Sequence, residues 1–170
     1  AAVTADRGPL GLRVLDHGLH YMSDKAPFTT FEQLSKARAK VEETGLKWGV
    51  CYSERVQNEA AVFAGQLIEQ GAIGTVLQVT GLGPHRLAAE SRPSWFFKKD
   101  RYGGILTDIG SHQIEQFLSF AGAKDARVLH SKVANFNNPE YPELEDFGDA
   151  NLVADNGATC YFRVDWFTPD

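Results

Sequence analysis

The sequence predicts an α/β segment followed by an α+β domain with an open, mainly antiparallel sheet covered by helices. Three observations lead there. Over roughly the first 50 residues, helical and strand-like stretches alternate, as they do around a parallel sheet. Over roughly the last 45, strand-like runs follow one another directly, as in an antiparallel sheet. The change of pattern falls inside 170 residues, a length that suits one ordinary domain or parts of two. A boundary is therefore expected near residue 53, with an α/β part over 1–53 and a second, incomplete domain over 54–170.

The elements follow in order. Leu10, Leu12, Val14 and Leu15 predict a short helix over 9–19. His20, Tyr21 and Met22 make a short strand. Thr29 and Thr30 precede a helix over 31–44, whose apolar positions Phe31, Leu34, Ala37 and Val41 share one face. Gly45 stops it as a C-cap residue does. A strand over 46–52 comes next, and Asn58 caps a helix running to residue 70, ended by Gly71. A strand is expected over 73–82, an aromatic, proline-containing loop over 83–99, and one continuous helix over 105–121. Three strands close the chain, over 127–136, 147–154 and 158–167. The Asp155-Asn156-Gly157 turn joins the last two as a hairpin. The acidic stretch Tyr141, Pro142, Glu143, Glu145 and Asp146 is expected to be solvated.

Composition sets limits. Hydrophobic residues make up 43% and charged residues 23%, the proportions of an ordinary globular protein, and the net charge is −5. No basic stripe points to nucleic acid. No apolar run approaches the ~20 residues of a membrane span, and a cytoplasmic setting is expected. The two cysteines, Cys51 and Cys160, form no metal-binding spacing and are read as free thiols in strands.

Chemistry concentrates in Gly103-Gly104-Ile105-Leu106-Thr107-Asp108-Ile109-Gly110-Ser111-His112. Asp108 and His112 are four apart and share a helical face, with Glu115 near it. An imidazole beside a carboxylate can accept a proton near neutral pH, and Gly110 would leave the surface between them open. A surface ion pair and a metal site of Asp108, His112 and Glu115 are the alternatives. Lys25, in Asp24-Lys25-Ala26-Pro27, sits at the carboxyl end of a strand, where α/β sheets bind ligands; a solvated loop lysine is its plain alternative. His85, Arg86, Arg92, Trp95, Phe96 and Arg101 combine rings that can stack on a sugar face with guanidinium groups that can bind hydroxyls or a carboxylate; a packed connecting loop with salt bridges is the alternative.

These segments resemble the glucose-fructose oxidoreductase and inositol dehydrogenase family (Gfo/Idh/MocA). Three features carry the resemblance in order: the acidic-Lys-(x)-Pro element at Asp24 to Pro27, the helix end Gln70-Gly71-Ala72-Ile73-Gly74 before a strand, and the Gly-Gly-(x)3-Asp-x-Gly-x-His pattern at residues 103–112. The similarity extends over about 8–167. It implies that 1–53 is the end of a Rossmann dinucleotide-binding domain and that 54–170 binds substrate and self-associates through its sheet. It implies NAD or NADP as cofactor, a sugar or polyol substrate, and hydride exchange at a CH–OH carbon. His112 would be the acid/base. Asp108 would bind substrate and orient His112, and Lys25 and Pro27 would lie against the cofactor. His85, Arg86, Arg92, Trp95, Arg101 and Asp108 are the substrate-side candidates. The proline stands one place later than the family's Glu-Lys-Pro, and no Gly-x-Gly-x-x-Gly turn occurs, so the chain reads as part of a protein about twice as long. A metal-dependent isomerase or hydrolase using Asp108, His112, Glu115 and His85, and a non-catalytic self-associating relative, are the competing readings.

Overall fold

Helix formation begins before the proline that was expected to start it. In the computed structural model, which describes residues 2–169, helix α1 runs Thr4–Asp16 with Pro9 inside it. An internal proline has no N–H for the carbonyl four residues back. That carbonyl, of Ala5, accepts instead from the Gln33 side-chain amide at 2.9 Å. Strand β1 is Tyr21–Asp24, slightly later than expected. Helix α2, Phe31–Thr44, has the expected limits: Thr30 Oγ1 accepts from the Gln33 amide at 3.2 Å, and Gly45 closes the helix with φ 67°. Strand β2, Trp48–Cys51, pairs in parallel with β1. Helix α1 packs on both α2 and β1.

A one-turn helix α3, Ser53–Val56, leads to α4, Glu59–Glu69, capped as expected by Asn58, whose Oδ1 accepts from Ala60 N at 3.0 Å. Strand β3 is Gln78–Pro84 and starts later than expected. Gly71 and Gly74, with φ 76° and 68°, form a turn, and the ladder to the final strand begins only at Gln78 opposite Thr159. The loop that follows holds two 3-10 turns, Ala89–Ser91 and Ser94–Phe97. Next come α5 (Lys99–Tyr102), α6 (Ile105–Asp108) and α7 (Gly110–Ala121). Strands β4 (Ala126–Ala134), β5 (Phe147–Ala154) and β6 (Thr159–Asp165) complete the fold.

The four-stranded sheet has the order β3-β6-β5-β4. Its β4–β5 and β5–β6 pairs are antiparallel and β3–β6 is parallel. One face packs on α6 and α7. Ala150, Leu152, Cys160, Phe162 and Val164 alternate inward there against Ile105, Ile109 and Phe117. Each large side chain so buried contributes about 1.5–3 kcal/mol. The opposite face carries no helix, and Leu82 on it is 67% exposed. Both cysteines are free, Cys160 buried and Cys51 half-buried.

Three expectations are corrected. The helix expected over 105–121 is two helices meeting at Ile109. Gly110 does not open the site: a Cβ there would stand 3.0 Å from the Phe162 ring, so the glycine lets the helix rest on the sheet. The acidic stretch is solvated only in part: Pro142 and Glu143 are exposed, while its end turns inward. Asp146 is fully buried and accepts from Phe136 N and Asn137 N, each at 2.8 Å. Glu145 accepts from Ile105 N at 2.9 Å and pairs with Lys99, tying that loop to the start of α6.

Candidate active site

Five chain segments end at one cavity of about 400 Å³. Lys25 follows β1, and Glu54 follows β2 on α3. Asp108 and His112 come from the α6–α7 junction. His85 follows β3 and leads into the loop carrying Arg92 and Trp95, and Trp166 follows β6. The site thus draws on both sheets at the carboxyl ends of their parallel strands, the usual position of ligands in such sheets.

Lys25 and Asp108 form its centre. The Lys25 ammonium donates to Asp108 Oδ1 at 2.6 Å and to the Asp108 carbonyl at 3.1 Å. Both side chains are mostly buried, at 19% and 15% exposure. The backbone behind Lys25 is gripped by Arg7 of α1. Its guanidinium donates to the carbonyl of Lys25 and, at 3.1 Å, to that of Ala26, and lies 3.7 Å from Asp24. The Lys25–Ala26 peptide is cis.

His112 is 3% exposed. Its Nδ1 is buried without a hydrogen-bond partner, and its Nε2 lies 3.9 Å from Glu54 Oε1. Burial pushes the imidazole below its ordinary value of 6.5, opposed in part by the Glu54 carboxylate. His112 is therefore neutral at pH 7. Glu54 also meets His85, whose Nε2 is 3.5 Å from Oε1 and whose Nδ1 is 2.9 Å from the Gly83 carbonyl. Contact with Glu54 raises His85 and holds Glu54 itself below the usual carboxylate value. One carboxylate thus stands between two histidines of opposite tendency.

The expected residues divide. Lys25, Asp108, His112, His85, Arg92, Trp95 and Phe96 all line the cavity. Asp108 is engaged by Lys25 and has no hydrogen bond to His112; the carboxylate facing that imidazole is Glu54. Pro27 lines a separate apolar cavity of about 360 Å³ with Phe28, Leu106, Ile114 and Leu152. Arg86 is exposed and donates to the Pro169 carbonyl at 2.9 Å. Arg101 pairs with Asp6 at 3.1 Å, which fastens α5 to α1 and not to the cavity. Glu115 is held by Arg55 at 2.6 Å. Asp108, His112 and Glu115 therefore do not converge, and no trio of metal-ligating side chains is found among the described residues. Arg7, Glu54 and Trp166 were not singled out from sequence. Glu54 had the same signal as Lys25, a charged side chain just past a parallel strand. Arg7 and Trp166 had none, because their contacts lie far away in the chain.

Comparison with known proteins identifies the family and the fold. A sequence model described as the GFO/IDH/MocA C-terminal domain matches residues 62–170. The solved structure of a protein from Erwinia carotovora atroseptica SCRI1043, described as an oxidoreductase, superposes with a TM-score of 0.97 at 54% identity, over 100% of this chain and 51% of that one. A levoglucosan dehydrogenase solved with NADH and levoglucosan superposes with a TM-score of 0.85 at 21% identity, covering 99% of this chain and 47% of that one. D-Xylose dehydrogenase of Paenarthrobacter nicotinovorans is 24% identical over 117 residues, 66% of this chain and 30% of its own length. The chain thus spans 30% to 51% of the length of these proteins.

Proposed function

The chain belongs to the GFO/IDH/MocA family, and from that premise we propose that the intact protein is an NAD- or NADP-dependent oxidoreductase acting on the CH–OH group of a sugar or polyol. The observation that carries the reading is the meeting of a neutral, buried imidazole with a lysine–carboxylate pair in one open cavity. The sugar-oxidising relatives, one of them solved with NADH and levoglucosan, support the substrate class and the cofactor.

The residues present suit the nicotinamide end of such a cofactor. Lys25 sits at the carboxyl end of a parallel strand with its ammonium in the cavity, and Arg7 fixes the backbone of Lys25 and Ala26 beside it. Lys25 would hold that end. When bound, the cofactor would supply the acceptor for the hydride of the carbinol carbon. The protein's residues do the rest. His112, neutral at working pH, accepts the hydroxyl proton. The Lys25 ammonium donates a hydrogen bond to the carbinol oxygen and stabilises the negative charge that grows there. Asp108 holds Lys25 in place. Glu54 faces the imidazolium that forms and lowers its energy. In the reverse direction His112 returns the proton.

On the same reading, residues 1–53 are the end of the dinucleotide-binding domain and 54–170 the substrate domain, and copies of the protein associate through the helix-free face of the four-stranded sheet. The exposed Leu82 on that face supports the second point. The deciding experiment is His112→Asn in the intact protein: turnover should fall by about 100-fold or more with cofactor affinity unchanged. Unaltered turnover would remove His112 from the reaction.

A further inference from the structure

We propose that the cavity selects a sugar that bears a carboxylate, held by the Arg92 guanidinium and the indole N–H of Trp166. This names the substrate class of the site described above and rests on that reading.

The charges in the cavity pair off, with one exception. Arg7 lies by Asp24, Lys25 by Asp108, and His85 by Glu54. Arg92 has no carboxylate partner among the described residues. Its Nε donates to the Leu87 carbonyl at 3.0 Å, and its plane lies 4.4 Å from the Phe96 ring centre and 5.2 Å from that of Trp166. The stem and plane are thus fixed by aromatic packing, while the two terminal nitrogens have no hydrogen-bond acceptor. Trp166 makes an independent second observation. It is 5% exposed, lines the same cavity, and its buried Nε1–H has no acceptor. His85 stands against the same indole, with ring centres 5.7 Å apart, and packs one side of it.

Donors without acceptors call for a ligand group that only accepts. A buried unpaired donor such as the Trp166 N–H is costly, and a group with several lone pairs can satisfy it and the half-buried Arg92 guanidinium together. A neutral hydroxyl answers one donor at a time. A carboxylate presents two oxygens in one plane, which matches the planar edge of a guanidinium. The Lys25–Asp108 pair and His112 lie on the same cavity. A sugar acid anchored at Arg92 would therefore present a hydroxyl-bearing carbon to them.

The test is equilibrium binding of D-glucuronate, D-glucose and D-glucose 6-phosphate, followed by the indole N–H resonances in a 15N-labelled sample. Glucuronate should bind on the order of 10- to 100-fold more tightly than glucose and shift the Trp166 resonance. Arg92→Met keeps the stacked stem and should abolish that preference; Trp166→Phe should weaken it several-fold. Equal affinity for glucuronate and glucose in the unmodified protein would overturn the proposal without recourse to any variant, and so would tighter binding of the phosphate ester. Binding of glucuronate without its oxidation in the intact protein would overturn the oxidoreductase reading and leave the anion site standing.

Discussion

Glu54 raises His85 and partly opposes the burial that lowers His112, and this gives a prediction at the scale of the residue. His112 works as a base only when neutral, and its folded value lies below the ordinary 6.5. Oxidation should therefore hold steady through neutral pH and fall as pH drops through that lowered value. Glu54→Gln removes the carboxylate that pulls His112 upward, so the acid limb should move to still lower pH. The same change takes away the partner that raises His85, whose titration should move down. A pH–rate profile with an NMR titration of both imidazoles checks this, and curves that coincide with the unmodified protein would refute it. The linkage to stability has opposite signs. His85, raised by folding, adds stability below its unfolded value that is lost as pH rises through its folded one. His112, lowered by folding, takes stability away as pH falls below its unfolded value. That Lys25, Asp108 and His112 would meet was legible in the sequence, because close spacing and position after a strand are local properties. Arg7, Glu54 and Trp166 owe their roles to neighbours 18 to more than 50 residues away, which no local pattern contains.

At the scale of the element, caps and breakers were the readable part. Thr30 with Gly45, and Asn58, marked helix limits that the structure keeps, since a cap acts on amides two or three residues along. Pro9 misled because its effect is cancelled by a residue of another helix. Gln33 donates to Ala5 O at 2.9 Å and accepts from Thr29 N at 2.9 Å, so one side chain mends α1 and shapes the entry to α2. Gln33→Ala should destabilise the protein by about 1–2 kcal/mol, read as a lower urea midpoint with an unchanged m-value; an unchanged midpoint would show the proline to be tolerated without that contact. The expected long helix divides at Ile109 because Gly110 beds onto the Phe162 ring, a contact made with a strand about 50 residues later. The same bareness at Gly81 and Gly83 leaves room on β3 for the Gln113 side chain of α7, where a Cβ at Gly81 would stand 2.1 Å from Oε1.

At the scale of the whole molecule, the change from alternating to consecutive strands foretold the two sheets, and the parallel β3–β6 pairing is the part that no local signal announced. The helix-free sheet face suits self-association. Leu82→Glu would place a charge on its β3 edge and should shift the intact protein toward monomer in light scattering after size exclusion, leaving the fold unchanged by circular dichroism. No shift would place the contact elsewhere. The β3–β6 pairing also orders events in time. Gln78 and Thr159 meet across 81 residues of chain, whereas the turn from β5 to β6 spans only a few. Closing the long loop is entropically dearer and slower than closing the hairpin. A nascent chain leaving the ribosome therefore carries β3 without its β6 partner until β6 has been synthesised, and His85, whose amide donates to the Asp165 carbonyl of β6, is fixed near Glu54 only once that strand has joined.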